Sequence, residues 1–369
     1  MVSVYYLILL IVSTGLTVFY YAIMKKHFSV YMTLLFTIIP ISNVGFFLFS
    51  MSQSKEAALM AEKFSYLGGC FVGYLLMVCI MEWCKMEVNK LFKLVYFFVS
   101  LGMYGLALTN GYVRDIFYAE TYFERVDDIA YLERIFGTFL WAYLAMNLIY
   151  VIMNVIILLY SIGKQKKAPR IIIAIMLAYQ VVYLWDFFGW KAMNMLGIGN
   201  AFDILPIGYI VLQIVLFIIL FRVELYKLVP VPGEGFEDRK NLALISFDNG
   251  FRYLGANEDA EIMFSELEDI PVDSSAKKSP FFKKNIAGWL EEFKKDSIGT
   301  FKMEHYNKTY AVDVDHLYEN EKIKGYRVTL WEDKNANNRK ASAEEPVLEE
   351  PVFEEPNYGE SNYGGSNFI

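Results

Sequence analysis

Seven stretches of this chain are long and apolar enough to cross a bilayer: residues 4–24, 30–51, 64–83, 91–109, 135–162, 171–190 and 204–225. A hydrocarbon core of about 30 Å takes roughly 20 apolar residues of helix. Inside lipid the backbone finds no water to bond. Such stretches therefore fold as helices, which satisfy their own N–H and C=O groups. The chain is 56% hydrophobic and 17% aromatic with only 20% charged residues, and residues 1–228 hold nearly all of the apolar excess. This composition excludes a wholly soluble enzyme and a disordered chain. A net charge of −7 excludes a strongly basic nucleic-acid binder. The first stretch has no basic residues before it and no small-residue cleavage site, and Lys25 and Lys26 follow it directly. It reads as a retained membrane anchor rather than a signal peptide.

Basic residues in the loops set the orientation. One side carries eleven: Lys25, Lys26, Lys85, Lys90, Lys93, Lys164, Lys166, Lys167, Arg170, Arg222 and Lys227. The other carries six: Lys55, Lys63, Arg114, Arg125, Arg134 and Lys191. The expectation is a multi-pass inner-membrane protein with its N-terminus outside and its C-terminal third in the cytoplasm. The longest outer loop, residues 110–134, mixes acidic and aromatic residues and reads as a short amphipathic lid over the bundle.

Polar groups inside a membrane are costly, and they mark function or interhelical hydrogen bonds. Here they are Asn43, Asn147, Asn154, Gln180, Asp186 and Gln213. Asp186 is the ionisable one. It lies sixteen residues beyond Arg170, about 24 Å along a helix, and so near the outer face among Tyr183, Trp185, Phe187, Phe188 and Trp190. Helix counting brings Lys63, Tyr66, Asn110 and Asp203 to the same level, which makes these five residues the candidate ligand site. An apolar cleft with a few convergent polar groups is the usual form of such a site. Asp203 has a second reading as a helix N-cap. The last apolar stretch contains no lysine, so a retinal Schiff base is excluded. A small-solute transporter is disfavoured, since no internal repeat is visible.

Cys70, Cys79 and Cys84 fall in or at the edge of one apolar stretch, and His27, His305 and His316 are scattered singly. The cysteines read as small apolar filler, and no metal set or cofactor is expected. After a Pro/Gly-rich linker at residues 229–240, residues 241–333 read as β-β-α-α-β-β-β, an α+β domain with helices on one face of an antiparallel sheet. Asn249-Gly250 suggests a type I′ hairpin turn, and a second turn is expected at 319–325. Residues 334–369 are acidic and low in complexity, with Glu-Glu-Pro starting at 344, 349 and 354. They read as a disordered tail, either solubilising or serving as a docking peptide.

Several stretches resemble the seven-helix sensory region at the N-terminus of bacterial histidine kinases and diguanylate cyclases. They are Lys63-Phe-Ser-Tyr-Leu-Gly-Gly69, Leu108-Thr-Asn-Gly-Tyr112, Phe202-Asp-Ile-Leu-Pro-Ile207 and Phe221-Arg-Val-Glu-Leu-Tyr-Lys-Leu-Val-Pro-Val231. The soluble third resembles a PAS-type sensory domain through Ser246-Phe-Asp-Asn-Gly-Phe-Arg-Tyr-Leu-Gly-Ala-Asn-Glu-Asp-Ala260 and Gly325-Tyr-Arg-Val-Thr-Leu-Trp-Glu-Asp333. No phospho-accepting helix, ATP lid or cyclase turn follows in this sequence, so catalytic activity is not implied. The resemblance implies a seven-transmembrane sensor for a small external or lipid-phase ligand, with a signal exit at Arg222 and Pro230. Its expected partners are membrane lipid, a separate kinase, cyclase or regulator, and a second copy in a homodimer. A non-sensing membrane scaffold or degenerate receptor that recruits a partner through its tail is the alternative.

The charge bias predicts that a reporter fused after Lys167 or Lys240 reads cytoplasmic and one inserted near Glu124 reads external. Alkaline phosphatase and fluorescent-protein fusions at these sites test it, and the reverse pattern overturns the orientation.

Overall fold

The computed structural model describes residues 2–23, 29–86, 89–113, 116–126, 129–164, 167–189, 192, 203–227, 242–306, 308–319 and 322–333. Seven helices among them have the length and apolarity to span a membrane. These are α1 (Val2–Ile23), α2 (Val30–Met51), α3 (Lys55–Trp83), α4 (Lys90–Leu108), α5 (Thr138–Lys164), α6 (Arg170–Leu184) and α7 (Leu205–Lys227). Helix α3 begins nine residues before the apolar stretch that announces it. Ser54 caps it, its hydroxyl accepting from the Ala57 amide at 3.2 Å.

The bundle is built around α3, in which every residue from Gly68 to Met81 is buried. Lipid tails are as apolar as leucine, so helices in a bilayer associate through close packing and polar contacts rather than hydrophobic burial. Small residues on α3 and α2 provide the close approach. A side chain at Gly45 would strike the Ser65 backbone, and one at Gly68 would strike Ser42 and the Tyr209 hydroxyl. One at Gly69 would strike the Tyr143 hydroxyl, and one at Gly73 the Tyr150 ring. Tyr150 passes over Gly73 from α5 towards α4, where its hydroxyl meets Ser100 Oγ at 2.7 Å and donates to the Tyr96 carbonyl at 3.1 Å. Gln213 on α7 ties itself to α1, donating to Thr17 Oγ1 at 3.0 Å and to the Ser13 carbonyl at 3.2 Å.

Helix α6 continues into a π-turn, Trp185–Gly189, whose extra residue per turn faces Asp186 and Phe187 inward. The acidic segment between α4 and α5 carries a two-stranded antiparallel hairpin, β1 (Tyr118–Val126) and β2 (Ile129–Phe136). In β1 exposed residues (Glu120, Tyr122, Glu124 and Val126) alternate with half-buried ones, the period of a strand covered on one face. An isolated hairpin is marginal. This one is anchored on the bundle, with Lys55 Nζ on the Thr121 carbonyl at 2.7 Å and Arg125 on the Ser52 carbonyl at 2.9 Å.

The C-terminal region folds as one antiparallel five-stranded sheet of order β4-β3-β7-β6-β5. Its strands are β3 (Ala243–Asp248), β4 (Tyr253–Ala256), β5 (Thr300–His305), β6 (Lys308–Glu319) and β7 (Lys322–Glu332). Between β4 and β5 the chain forms α8 (Glu258–Met263), a 3-10 turn (Ser265–Asp269), α9 (Pro280–Asn285) and α10 (Ala287–Asp296). Phe247, Tyr253, Phe264, Phe282, Leu290 and Val312 fill the core between these helices and the sheet. Two expectations change here. The β3–β4 turn is not type I′, because the left-handed residue is Phe251 (φ 59°), and Asp248 Oδ1 accepts from the Gly250 and Arg252 amides at 2.9 Å each. A carboxylate that grips two amides fixes the turn in place of the Asn-Gly pair. The expected turn at 319–325 is largely strand, since β6 and β7 stay paired out to Glu319 and Lys322 despite their charged residues. The linker and tail, residues 228–241 and 334–369, lie outside the described residues.

Gly69→Ala is expected to lower stability in detergent by about 1–3 kcal/mol, the usual cost of overpacking. Gly102→Ala, which has open space around it, is expected to stay within about 0.5 kcal/mol of the parent. Thermal unfolding of both variants checks the pair.

Candidate functional site

At the hairpin end of the bundle a buried carboxylate organises the contacts. Glu62 on α3 is only 5% exposed. It accepts from Arg134 of β2 through two guanidinium nitrogens, Nε at 2.8 Å and Nη2 closer still. The Tyr118 hydroxyl of β1 donates to the other Glu62 oxygen at 3.3 Å and also meets the Tyr66 hydroxyl. Burial, then the Glu62 charge, holds the Tyr118 phenol well above its ordinary pKa, so it stays a donor. These groups fasten the hairpin lid to α3.

Beneath the lid lies a cage of tyrosines. The Tyr66 ring stands edge-on to Phe117 at 4.9 Å and to Tyr143 at 5.3 Å. Tyr143 reaches Phe187 at 5.8 Å, and Phe187 stacks on Tyr183 at 5.7 Å. Asp186, 5% exposed, packs its carboxylate against Gly208 of α7, where no side chain intervenes. Tyr209 lies within electrostatic reach of Asp186, Tyr179 and Tyr183. The hydroxyls of Tyr179 and Tyr209 and the side-chain amides of Asn43 and Gln180 are buried and have no hydrogen-bond partner among the described residues. Buried polar groups ordinarily find a partner in protein or bound water. Four such groups lie on α2, α6 and α7.

The five sequence-derived residues divide among three places. Tyr66 and Asp186 join the cage through Tyr143 and Phe187. Lys63 is not the partner of Asp186, because its ammonium lies 4.2 Å over the Tyr112 ring on the α4 side. Asn110 is buried beside it at the end of α4, with its Nδ2 unbonded among the described residues. Asp203 acts as a cap: its Oδ1 accepts from the Leu205 amide at 3.0 Å, and its own amide donates to the Tyr6 hydroxyl at 2.8 Å. Glu62, Arg134 and Tyr118 escaped the sequence reading. The two charges looked like ordinary loop and helix-end residues, and only the hairpin register pairs them. No group of three His, Cys, Asp or Glu side chains able to hold a metal converges among the described residues.

A second cluster joins the opposite end of the bundle to the C-terminal domain. Arg222 of α7 donates to Asp248 Oδ2 at 2.8 Å and to Asp273 Oδ1 at 2.5 Å. The Tyr226 hydroxyl donates to Asp273 at 2.8 Å, and the Ile171 amide at the start of α6 donates to Asp273 Oδ2 at 3.0 Å. Lys167 pairs with Glu261 at 2.8 Å nearby. The Asp273 side chain is 1% exposed. Pro230, the other expected exit residue, lies outside the described residues.

Seven helices long and apolar enough to span a bilayer define a multi-pass membrane protein. The chain belongs to the family described as the N-terminal 7TM region of histidine kinase, whose model matches residues 6–230. That region is a receptor region and not a catalytic one. No curated protein and no solved structure is significantly similar to this chain.

Glu62→Gln leaves the Arg134 charge against a neutral amide. Arg134 is 37% exposed and Glu62 7%. The expected loss is therefore about 2 kcal/mol, between ~1 for surface pairs and ~3 or more for buried ones. The hairpin should then be cut faster by trypsin at Arg125, while Glu62→Gln with Arg134→Met should fall short of the two single losses summed. Urea or thermal unfolding with limited proteolysis reads both.

Proposed function

We propose that the chain is a membrane signal-transduction sensor. A small ligand, from outside or from the bilayer, occupies the tyrosine cage, and α6 and α7 carry the consequence to the C-terminal domain. That domain is read as PAS-type, a single antiparallel sheet with all its helices in one crossover, and it acts on a separate output partner rather than by catalysis of its own.

The observation that carries this reading is that the same two helices form both sites. Helix α6 with the π-turn that continues it supplies Tyr179, Tyr183 and Asp186 at one end and the Ile171 amide at the other. Helix α7 supplies Gly208 and Tyr209 at one end and Arg222 and Tyr226 at the other. Asp186 and Ile171 are fifteen residues apart, about 22 Å of helix. A ligand shifts such a system only by its differential affinity for two arrangements. The polar groups left unbonded in the cage supply the means, since bonding them in one arrangement and not the other is worth ~1–3 kcal/mol each.

The test needs no knowledge of the ligand. In full-length protein in lipid nanodiscs, Asp186→Asn is expected to change amide hydrogen exchange around Ile171, Arg222 and Asp273 as well as locally. Adding Arg222→Gln is expected to confine the change to the bundle. A change that never extends past the outer turns of α6 and α7 overturns the reading.

A further inference from the structure

The bundle carries a cavity away from the tyrosine cage, its basic rim at the end that faces the C-terminal domain. It holds about 470 Å³, within the range of small-ligand sites. Its floor is Phe71, Tyr74 and Leu75 of α3, and its walls are α2 and α4. It exists because α4 packs principally on α3, leaving a cleft between α4 and α2. The wall residues Leu34, Leu94 and Phe97 are partly exposed, so the cleft opens sideways onto the surface that faces lipid. At its end stand Lys90, Lys93 and Tyr31, with Lys93 Nζ 5.4 Å from the Tyr31 ring centre.

We propose that this cleft is a binding site for an anionic glycerophospholipid, with an acyl chain between α2 and α4 and the headgroup phosphate on Lys90 and Lys93. The argument is one of matching shape and charge. A purely apolar cleft would accept any lipid tail. Two ammonium groups at its interfacial end add an anion site at the depth where headgroups lie, and each basic group near an anionic membrane surface is worth ~1 kcal/mol. Neither lysine forms an ion pair among the described residues. Glu82, on the same end of α3, accepts from the Ser29 hydroxyl at 2.6 Å. Lysine stems run along apolar walls and leave the charged head in the interface, the posture this cleft requires.

Native mass spectrometry of the full-length protein in mild detergent tests the site, with phosphatidylglycerol and phosphatidylcholine of identical chains as probes. Phosphatidylglycerol is expected to bind roughly tenfold more tightly, the factor that two such contacts of ~1 kcal/mol give after partial screening. Lys90→Gln with Lys93→Gln should abolish the preference while leaving the melting temperature unchanged. Lys164→Gln, a basic residue on another helix at the same end, should keep it. Soluble glycerol phosphate should not compete, since it brings no acyl chain. Equal binding of the two lipids, a preference that survives the double substitution, an equal loss in Lys164→Gln, or displacement by glycerol phosphate would each overturn the proposal.

Discussion

Close approach to α3 is the constraint on which the rest of the bundle depends. In water a central helix is held by the hydrophobic effect, but in a bilayer that drive is missing between helices. What remains is dispersion, which is lost steeply over a gap of even half an ångström, and hydrogen bonds made in a medium that punishes unmet ones. Gly68, Gly69 and Gly73 present a bare helical surface into which Tyr209, Tyr143 and Tyr150 set their rings or hydroxyls. The glycines therefore decide where the tyrosines stand, and the tyrosines decide the shape of the cage. Structural glue and candidate site are here the same atoms.

The two charged clusters differ in kind from that packing. A buried ion pair is weak evidence for stability, because desolvation cancels much of its attraction. Glu62 with Arg134, and Arg222 with Asp248 and Asp273, are better understood as positional devices. One sets where the hairpin rests on α3. The other sets where the C-terminal domain rests on α6 and α7. Replacing either by an apolar contact would keep two surfaces together yet free them to slide.

Much of this was legible in the residues themselves. The seven spans follow from length and apolarity alone, and α2 and α4 through α7 begin or end within a few residues of where hydropathy puts them. The α+β order of the C-terminal third follows from alternation and turn residues. The hairpin was harder, since its mixed acidic and aromatic residues read only as a short amphipathic lid, and the strand period shows in the exposure of Glu120, Tyr122 and Glu124 on one face. Asp186 was found because a carboxylate in an apolar run is conspicuous. Glu62 was not, because it precedes the apolar run and resembles any charge at a helix start. Asp273 gave no signal at all. It sits in a short loop, and its importance comes from three donors on two helices that lie 47 to 102 residues earlier in the chain.

That carboxylate has a mechanical consequence. Asp273 is held by the first turn of one helix and the last turns of another, at distances of 2.5 to 3.0 Å. If the whole bundle tilts, all the donors travel together and the domain is simply carried along. If one helix slides against its neighbour by half an ångström, the donors part company and at least one bond must stretch or break. The joint therefore reads a difference and ignores a common displacement, as a balance compares two pans and is indifferent to the height of the table. Rocking of the whole bundle would leave these bonds intact, whereas shear between these two helices would strain them.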